Sequence, residues 1–179
     1  MTQTAGRQDA GLIASAAAGD EIAFRRIIAA HHDDMRKVCM AISADRAITE
    51  EATQAAWVIA WKRLGDVRDE GHLRPWLVTV AANEAKQLLR KRRRRAEVEV
   101  TADPAGVPGG IDPATDVVDI DVRDAMARLD PDDRALLALR YVAGFDSNEL
   151  ARAIGISPSG TRNRLERLLK RLREELDHG

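Results

Sequence analysis

The sequence predicts an all-α protein: two small helical domains joined by a flexible acidic linker, with a helix-turn-helix at the C-terminal end. Three observations carry this. Apolar residues recur at helical spacing in long blocks; from Asp20, Phe24, Ile27, Ile28, His31, Met35, Val38, Cys39 and Ile42 fall on one face. A stretch crowded with Pro, Gly and acids, from Glu97 to about Asp116, interrupts the blocks. Beyond it, Asp146-Ser-Asn-Glu149 and Gly155-Ile-Ser157-Pro158 have the forms that open and close short helices. The boundaries that follow are 10–95, a linker over 96–116, and 117–179.

Taken in order, residues 1–10 are polar and read as a lead-in, and the first helix is expected from Asp20. Asp45 caps a second helix to about Leu64, in which Trp57 and Trp61 stand at i and i+4, a spacing usual for core pairs. Its polar side carries Glu50, Glu51, Gln54 and Lys62, either a solvated face or a protein-docking face. Gly65 to Arg74 reads as a loop, and Pro75 opens a third helix with Trp76, Leu77, Val80, Ala81 and Leu88 inward. After the linker, a helix over Val117–Leu129 is stopped by Asp130-Pro-Asp-Asp133, which caps the next helix, Arg134 to Val142.

In the last helix Thr161, Leu165, Leu168, Leu169, Leu172 and Leu176 fall on one side. Ser159, Asn163, Arg167 and Lys170 fall opposite, flanked by Arg164 and Arg171. The second helix of a helix-turn-helix enters the major groove with its N-terminal half, where Arg suits guanine and Asn suits adenine. A solvated charged helix on a small bundle is the alternative; the capped turn favours DNA.

Charge supports that choice once it is divided. The chain has a net charge of −1. Yet Lys86 to Arg95 holds seven basic residues and no acid, Glu97 to Asp133 sums to −9, and Arg134 to the end sums to +3. Two basic modules therefore flank an acidic segment. Asn83, Lys86 and Gln87, in mid-helix, have the donors and acceptors to meet bases or sugars of an opened strand.

Other classes find little support. One cysteine excludes an internal disulfide framework and suits a reducing cytoplasm, and no stretch approaches a membrane span. His31, His32 and Cys39 fit no familiar metal spacing, and no phosphate loop or nucleophile elbow is present. No metal, cofactor or enzymatic activity is expected.

Four blocks in order, AAAGDEIAFRRIIAAHH, TEEATQAAWVIAWKRL, HLRPWLVTVAANEAKQLLRKRRRR and RLDPDDRALLALRYVAGFDSNELARAIGISPSGTRNRLERLLKRL, resemble bacterial RNA polymerase sigma factors of the extracytoplasmic-function type. The resemblance runs from Leu12 to Leu176. It implies an N-terminal domain that docks on the clamp helices of core RNA polymerase and melts the −10 element. It implies a C-terminal domain that reads the −35 element as duplex promoter DNA and meets the polymerase flap.

By the same resemblance, polymerase docking falls on Glu50, Glu51 and Gln54. Contacts to −10 DNA fall on His72, Leu73, Arg74, Trp76, Asn83, Lys86, Gln87, Arg90, Arg92 and Arg93. Contacts to −35 DNA fall on Ser159, Thr161, Arg162, Asn163, Arg164, Arg167, Lys170 and Arg171. An anti-sigma factor is an expected partner. Three positions depart from the family pattern: Glu51 replaces the usual Asp, Leu73 a frequent Phe, and Gly160-Thr161 the usual Thr-Val. Two other classes stay open: a free-standing helix-turn-helix regulator, and a helical interaction protein that reads no DNA.

Overall fold

A computed structural model describes residues 11–67, 69–102 and 125–177. Every regular element among the described residues is a helix, with no strand among them. The expected lead-in, most of the linker, and Val118 and Val122 lie outside them.

A short helix, α1, spans 11–17 and was not expected; it places Ile13 and Ala16 in the core. Helix α2 follows at Glu21–Ser43, capped by the Asp20 carboxylate, which accepts from the backbone N–H of Ile22 at 2.8 Å and Ala23 at 3.1 Å. Its apolar face is the expected one: Phe24, Ile27, Met35, Val38, Cys39 and Ile42 are buried. Helix α3, Arg46–Arg63, begins at Asp45 as the sequence indicates. Its inner face carries the small residues Ala52, Ala56 and Ala60, and α4, which packs on it, contributes Ala81, Ala82 and Ala85 to the same core. Trp57 enters that core and donates its Nε1–H to His32 Nδ1 at 3.2 Å. Trp61 does not follow; it packs edge-on to Phe24 at 4.8 Å but stays 41% exposed.

The stretch expected as a loop contains two 3₁₀ turns, Leu64–Asp66 and Glu70–His72. Helix α4 then starts at Leu73, two residues earlier than Pro75, and runs to Ala102. The reading of 96–116 as linker therefore begins too early. Nothing from Glu97 to Ala102 breaks a helix, and the first obstacle is Pro104, which disfavours helical backbone at the residue before it.

The C-terminal module comprises α5 (125–128), α6 (Pro131–Leu137), α7 (Ser147–Ile154) and α8 (Pro158–Asp177). Asp130 caps α6, and Pro131 occupies its first turn, so the helix starts three residues before the expected Arg134. Its last turn, Ala138–Val142, widens into a π turn in which Ala143 N–H reaches Ala138 O at 3.0 Å. Gly144 takes φ 75° and turns the chain back so that Phe145 is buried.

The capping box of α7 is present in full: Asp146 accepts from Asn148 and Glu149, and the Glu149 carboxylate accepts from Asp146 N–H at 2.8 Å. Those backbone donors hold the Asp146 carboxyl below its usual pKa. Gly155 ends the helix at φ 74°, and Ser157 accepts from Gly160 N–H at 3.1 Å to open α8.

The two modules pack against each other. Buried residues from Ile13 to Leu168 form one continuous apolar cluster, with α6 packed on α2 and α4 and with α7 touching α4. Arg134 sits at the junction. Its Nε donates to Leu129 O at 3.3 Å, one Nη to Ile42 O at 3.2 Å, and the other to Ala127 O. Burial and the neighbouring Arg93 charge push this guanidinium down to about 10, which still leaves it cationic at neutral pH.

Candidate nucleic-acid interface

Helical phase decides what each predicted contact residue can touch. On α8, Ser159, Arg162, Asn163, Arg167 and Lys170 are exposed on the side away from Leu168, with Arg171 exposed at the flank. Arg167 Nε donates to Asn163 O at 3.3 Å, which holds the two residues beside each other. Lys170 and Arg171 lie 3.8 Å from Glu174 and Glu175. Pairs this exposed are worth little, and a phosphate would displace the acids readily.

Two residues of the expected set have structural partners instead of a free outward face. Thr161 is 1% exposed and its hydroxyl donates to Ser157 O at 3.0 Å, so it packs the turn and is turned away from the outer face. Its position one turn before Leu165 on the apolar side already pointed inward. Arg164 is half-buried, and donates from both Nε and Nη2 to Asp133 at 3.0 and 2.7 Å. It ties α8 to α6.

The N-terminal face is assembled along α4 and the turn before it. Leu73 is a second correction of the same kind: it is buried, since the helix begins at that residue and turns it into the core. Trp76 and Asn83 are half-buried, whereas Gln87, Arg90 and Arg92 are exposed. Gln87 donates to Glu84 at 3.2 Å. His72 Nδ1 meets Asp69 at 2.7 Å, and this contact holds the Asp69 carboxyl below its usual pKa. Arg74 Nε donates to Asp34 at 2.6 Å. Arg92 pairs with Asp45, the cap of α3. Burial alone would raise the Asp45 pKa, but Ile48 N–H and Arg92 outweigh it and lower it.

Several of these groups also meet the C-terminal module. Lys86 Nζ lies 3.2 Å from Asp132, and Arg90 pairs with the same carboxylate. Arg93 donates to Leu129 O at 3.0 Å, Arg74 to Ala143 O at 3.1 Å, and Arg152 meets His72 Nε2 at 3.2 Å. Sequence reasoning missed Asp132 and Arg134, because neither has a local pattern that reveals a partner tens of residues away.

Burial would raise the Asp132 pKa, yet Lys86 and Arg90 outweigh it and hold the carboxyl below its usual range. Its link is therefore complete above the unfolded value of about 3.9, and is lost as pH falls through the lower folded value. Asp132→Asn should lack this contribution at every pH, so its stability deficit against the unaltered chain in urea unfolding should be constant above about pH 4 and shrink as the pH falls below it.

On α3, Glu50, Glu51 and Gln54 are exposed, as expected, with Glu50 paired to Arg46 at 3.0 Å. The spacing of Glu51, Gln54, Val58 and Trp61 puts them in one stripe, and Val58 is 55% exposed. The apolar half of this stripe was missed because Trp61 was assigned to the core by its spacing from Trp57. Cys39 is buried against Ala81 O, and burial raises its thiol to about 11, so it is unreactive at neutral pH. Among the described residues no cluster of metal-ligating side chains occurs, and no helix is long and apolar enough to cross a membrane.

Comparison with known proteins adds an independent line. The model for sigma-70 region 2 matches residues 27–95, and that for sigma-70 region 4 matches residues 119–172. The RNA polymerase sigma factor CarQ of Myxococcus xanthus is 32% identical over 162 residues, covering 88% of this chain and 91% of CarQ. The probable RNA polymerase sigma factor RfaY of Xanthomonas campestris pv. campestris is 31% identical over 90% of this chain, which spans only 42% of RfaY. The extracytoplasmic-function sigma factor SigM of Mycobacterium tuberculosis is 28% identical over 93% of the chain and 83% of SigM.

Among solved structures, CnrH in complex with the cytosolic domain of CnrY matches with a TM-score of 0.68. It is 24% identical and covers 93% of this chain and 96% of CnrH. The sigma factor RpoE of Bartonella quintana, in complex with the anti-sigma factor NepR, gives 0.67 at 22% identity, covering 86% and 96%. These two likenesses concern the fold. The two regions matched in order, together with the full-length likeness to CarQ, show that the chain belongs to the sigma-70 family of RNA polymerase sigma factors, in its extracytoplasmic-function branch.

Proposed function

We propose that the chain is an alternative sigma factor that works in the cytoplasm, binds core RNA polymerase and directs initiation at promoters with two short elements. The observation that carries this is the capped helix-turn-helix whose outer face presents Asn163 and Arg167. It follows a basic helix, α4, whose polar side suits an opened strand. Duplex is read by a helix in the major groove, and single strands by a basic groove with ring and amide groups. Within α4 and the turn before it, Trp76 and Asn83 take the base-facing role. His72, Arg74, Lys86, Arg90, Arg92 and Arg93 take the backbone. About twenty residues of extended chain span roughly 70 Å, about two turns of duplex, enough for one chain to hold both elements.

Docking on the clamp helices is assigned to the α3 stripe of Glu51, Gln54, Val58 and Trp61. It combines polar groups that set orientation with an exposed ring of the kind that anchors interfaces. An anti-sigma partner is proposed because RpoE of Bartonella quintana is seen with the anti-sigma factor NepR, and CnrH with the cytosolic domain of CnrY. Replacing Glu51 and Gln54 together with Ala should weaken binding to core polymerase by about tenfold, near 1.4 kcal/mol, with helicity and melting temperature unchanged. Unaltered affinity in a core-binding titration would move the docking face elsewhere.

A further inference from the structure

The outer face of α8 carries an acid among its cations. Glu166 is exposed, three residues after Asn163 and one before Arg167. Helical phase puts it on the side of Ser159, Asn163 and Lys170, roughly opposite the buried Leu168. Arg162 and Lys170 stand four residues before and after it, the spacing at which helical ion pairs form. Yet Lys170 pairs with Glu174 at 3.8 Å, and among the described residues the Glu166 carboxylate has no ion pair or hydrogen bond. Its charge is spent on nothing within the fold.

A carboxylate only accepts hydrogen bonds. Against duplex it meets phosphates that repel it and base edges that mostly present acceptors: guanine N7 and O6, thymine O4, adenine N7. Adenine N6 does donate, but N7 stands beside it. Cytosine alone offers an amino donor, N4, with no acceptor next to it in the major groove. We propose that Glu166 is a specificity-determining residue, which selects a cytosine in the −35 duplex by accepting from N4 and rejects the other bases by repulsion between acceptors. This rests on the reading of α8 as the −35 reader. Asn163 and Glu166 are about 4.5 Å apart along the helix axis, near one base step of about 3.4 Å, so the cytosine neighbours the pair that Asn163 meets. Arg162 and Lys170 attract duplex of any sequence, and the acid between them makes that attraction conditional.

The test is transcription by core polymerase and the full chain on templates randomised upstream of the start site, read as base frequencies in the upstream block. The unaltered chain should favour C by about tenfold at one position. Glu166→Ala should make that position nearly even, leave the others as they were, and raise transcription from templates lacking that C. Glu166→Gln should move the preference there to A, because an amide accepts from N6 and donates to N7. Glu174→Gln, which removes the same charge two turns further along α8, should change no position. Circular dichroism checks that each variant is folded. If Glu166→Ala keeps the unaltered preferences, or raises transcription equally on all templates, the acid is a solvated charge and the proposal is overturned; the −35 reading then stands if Asn163→Ala/Arg167→Ala still relaxes the block. If that double variant also changes no position, α8 is not the reader and both fall together.

Discussion

Arg134→Met is expected to destabilise the protein by about 2–3 kcal/mol, the cost of leaving a buried acceptor without its donor. The guanidinium spans three carbonyls, but these are not equally dependent on it. Leu129 O and Ala127 O also accept from Arg93, at 3.0 and 3.3 Å. Ile42 O, in the last turn of α2, relies on Arg134 across 92 residues of sequence. Methionine keeps the length of the stem and its packing, so the loss reports the fork and its charge at a helix C-terminus. Removing a buried cation also relieves its desolvation and the repulsion from Arg93, which keeps the cost below that of an ion pair broken in a core. Urea unfolding checks this. Arg134→Lys should recover only part, since an ammonium cannot reach three carbonyls from one plane. A loss under ~0.5 kcal/mol would show that the junction does not depend on this residue.

The second large effect concerns base reading. Asn163→Ala and Arg167→Ala should each cost roughly 1–3 kcal/mol of discrimination between the preferred −35 duplex and a scrambled one, with little change in folding stability. Both side chains are exposed and make no contact that holds the module together. Arg164→Ala should behave in the opposite way, lowering stability through the lost Asp133 fork while sparing sequence preference. Equal loss on preferred and scrambled duplex for Asn163→Ala and Arg167→Ala would assign them to phosphate contact.

What could be read from the chain alone follows the range of the interaction involved. The caps at Asp45, Asp146 and Ser157 join residues three apart, and each was legible. The left-handed Gly155 was legible too, because few residues other than glycine adopt that backbone. Helical phase located the buried face of α2 correctly. The same phase, applied consistently, would have removed Thr161 from the contact residues; Leu73 lay in the stretch read as loop, and its burial follows only from α4 beginning at that residue.

What could not be read is the junction. Asp132 lies 46 residues from Lys86 and 42 from Arg90, and no periodicity announces such a pairing. Nor does composition reveal that α6 closes on α2 and α4, since an amphipathic helix does not specify its partner. The widened turn at Ala138–Val142 was equally hidden; it leads through the left-handed Gly144 to the buried Phe145.

The central claim is that this chain gives core RNA polymerase its promoter preference through two separate readers. The direct measurement is transcription by core polymerase on a template library randomised upstream of the start site, with and without the protein. The account predicts transcripts enriched for two short sequence blocks only when the chain is present, with Asn163→Ala/Arg167→Ala relaxing the upstream block alone. Transcripts with no sequence enrichment, or the same enrichment without the protein, would contradict it.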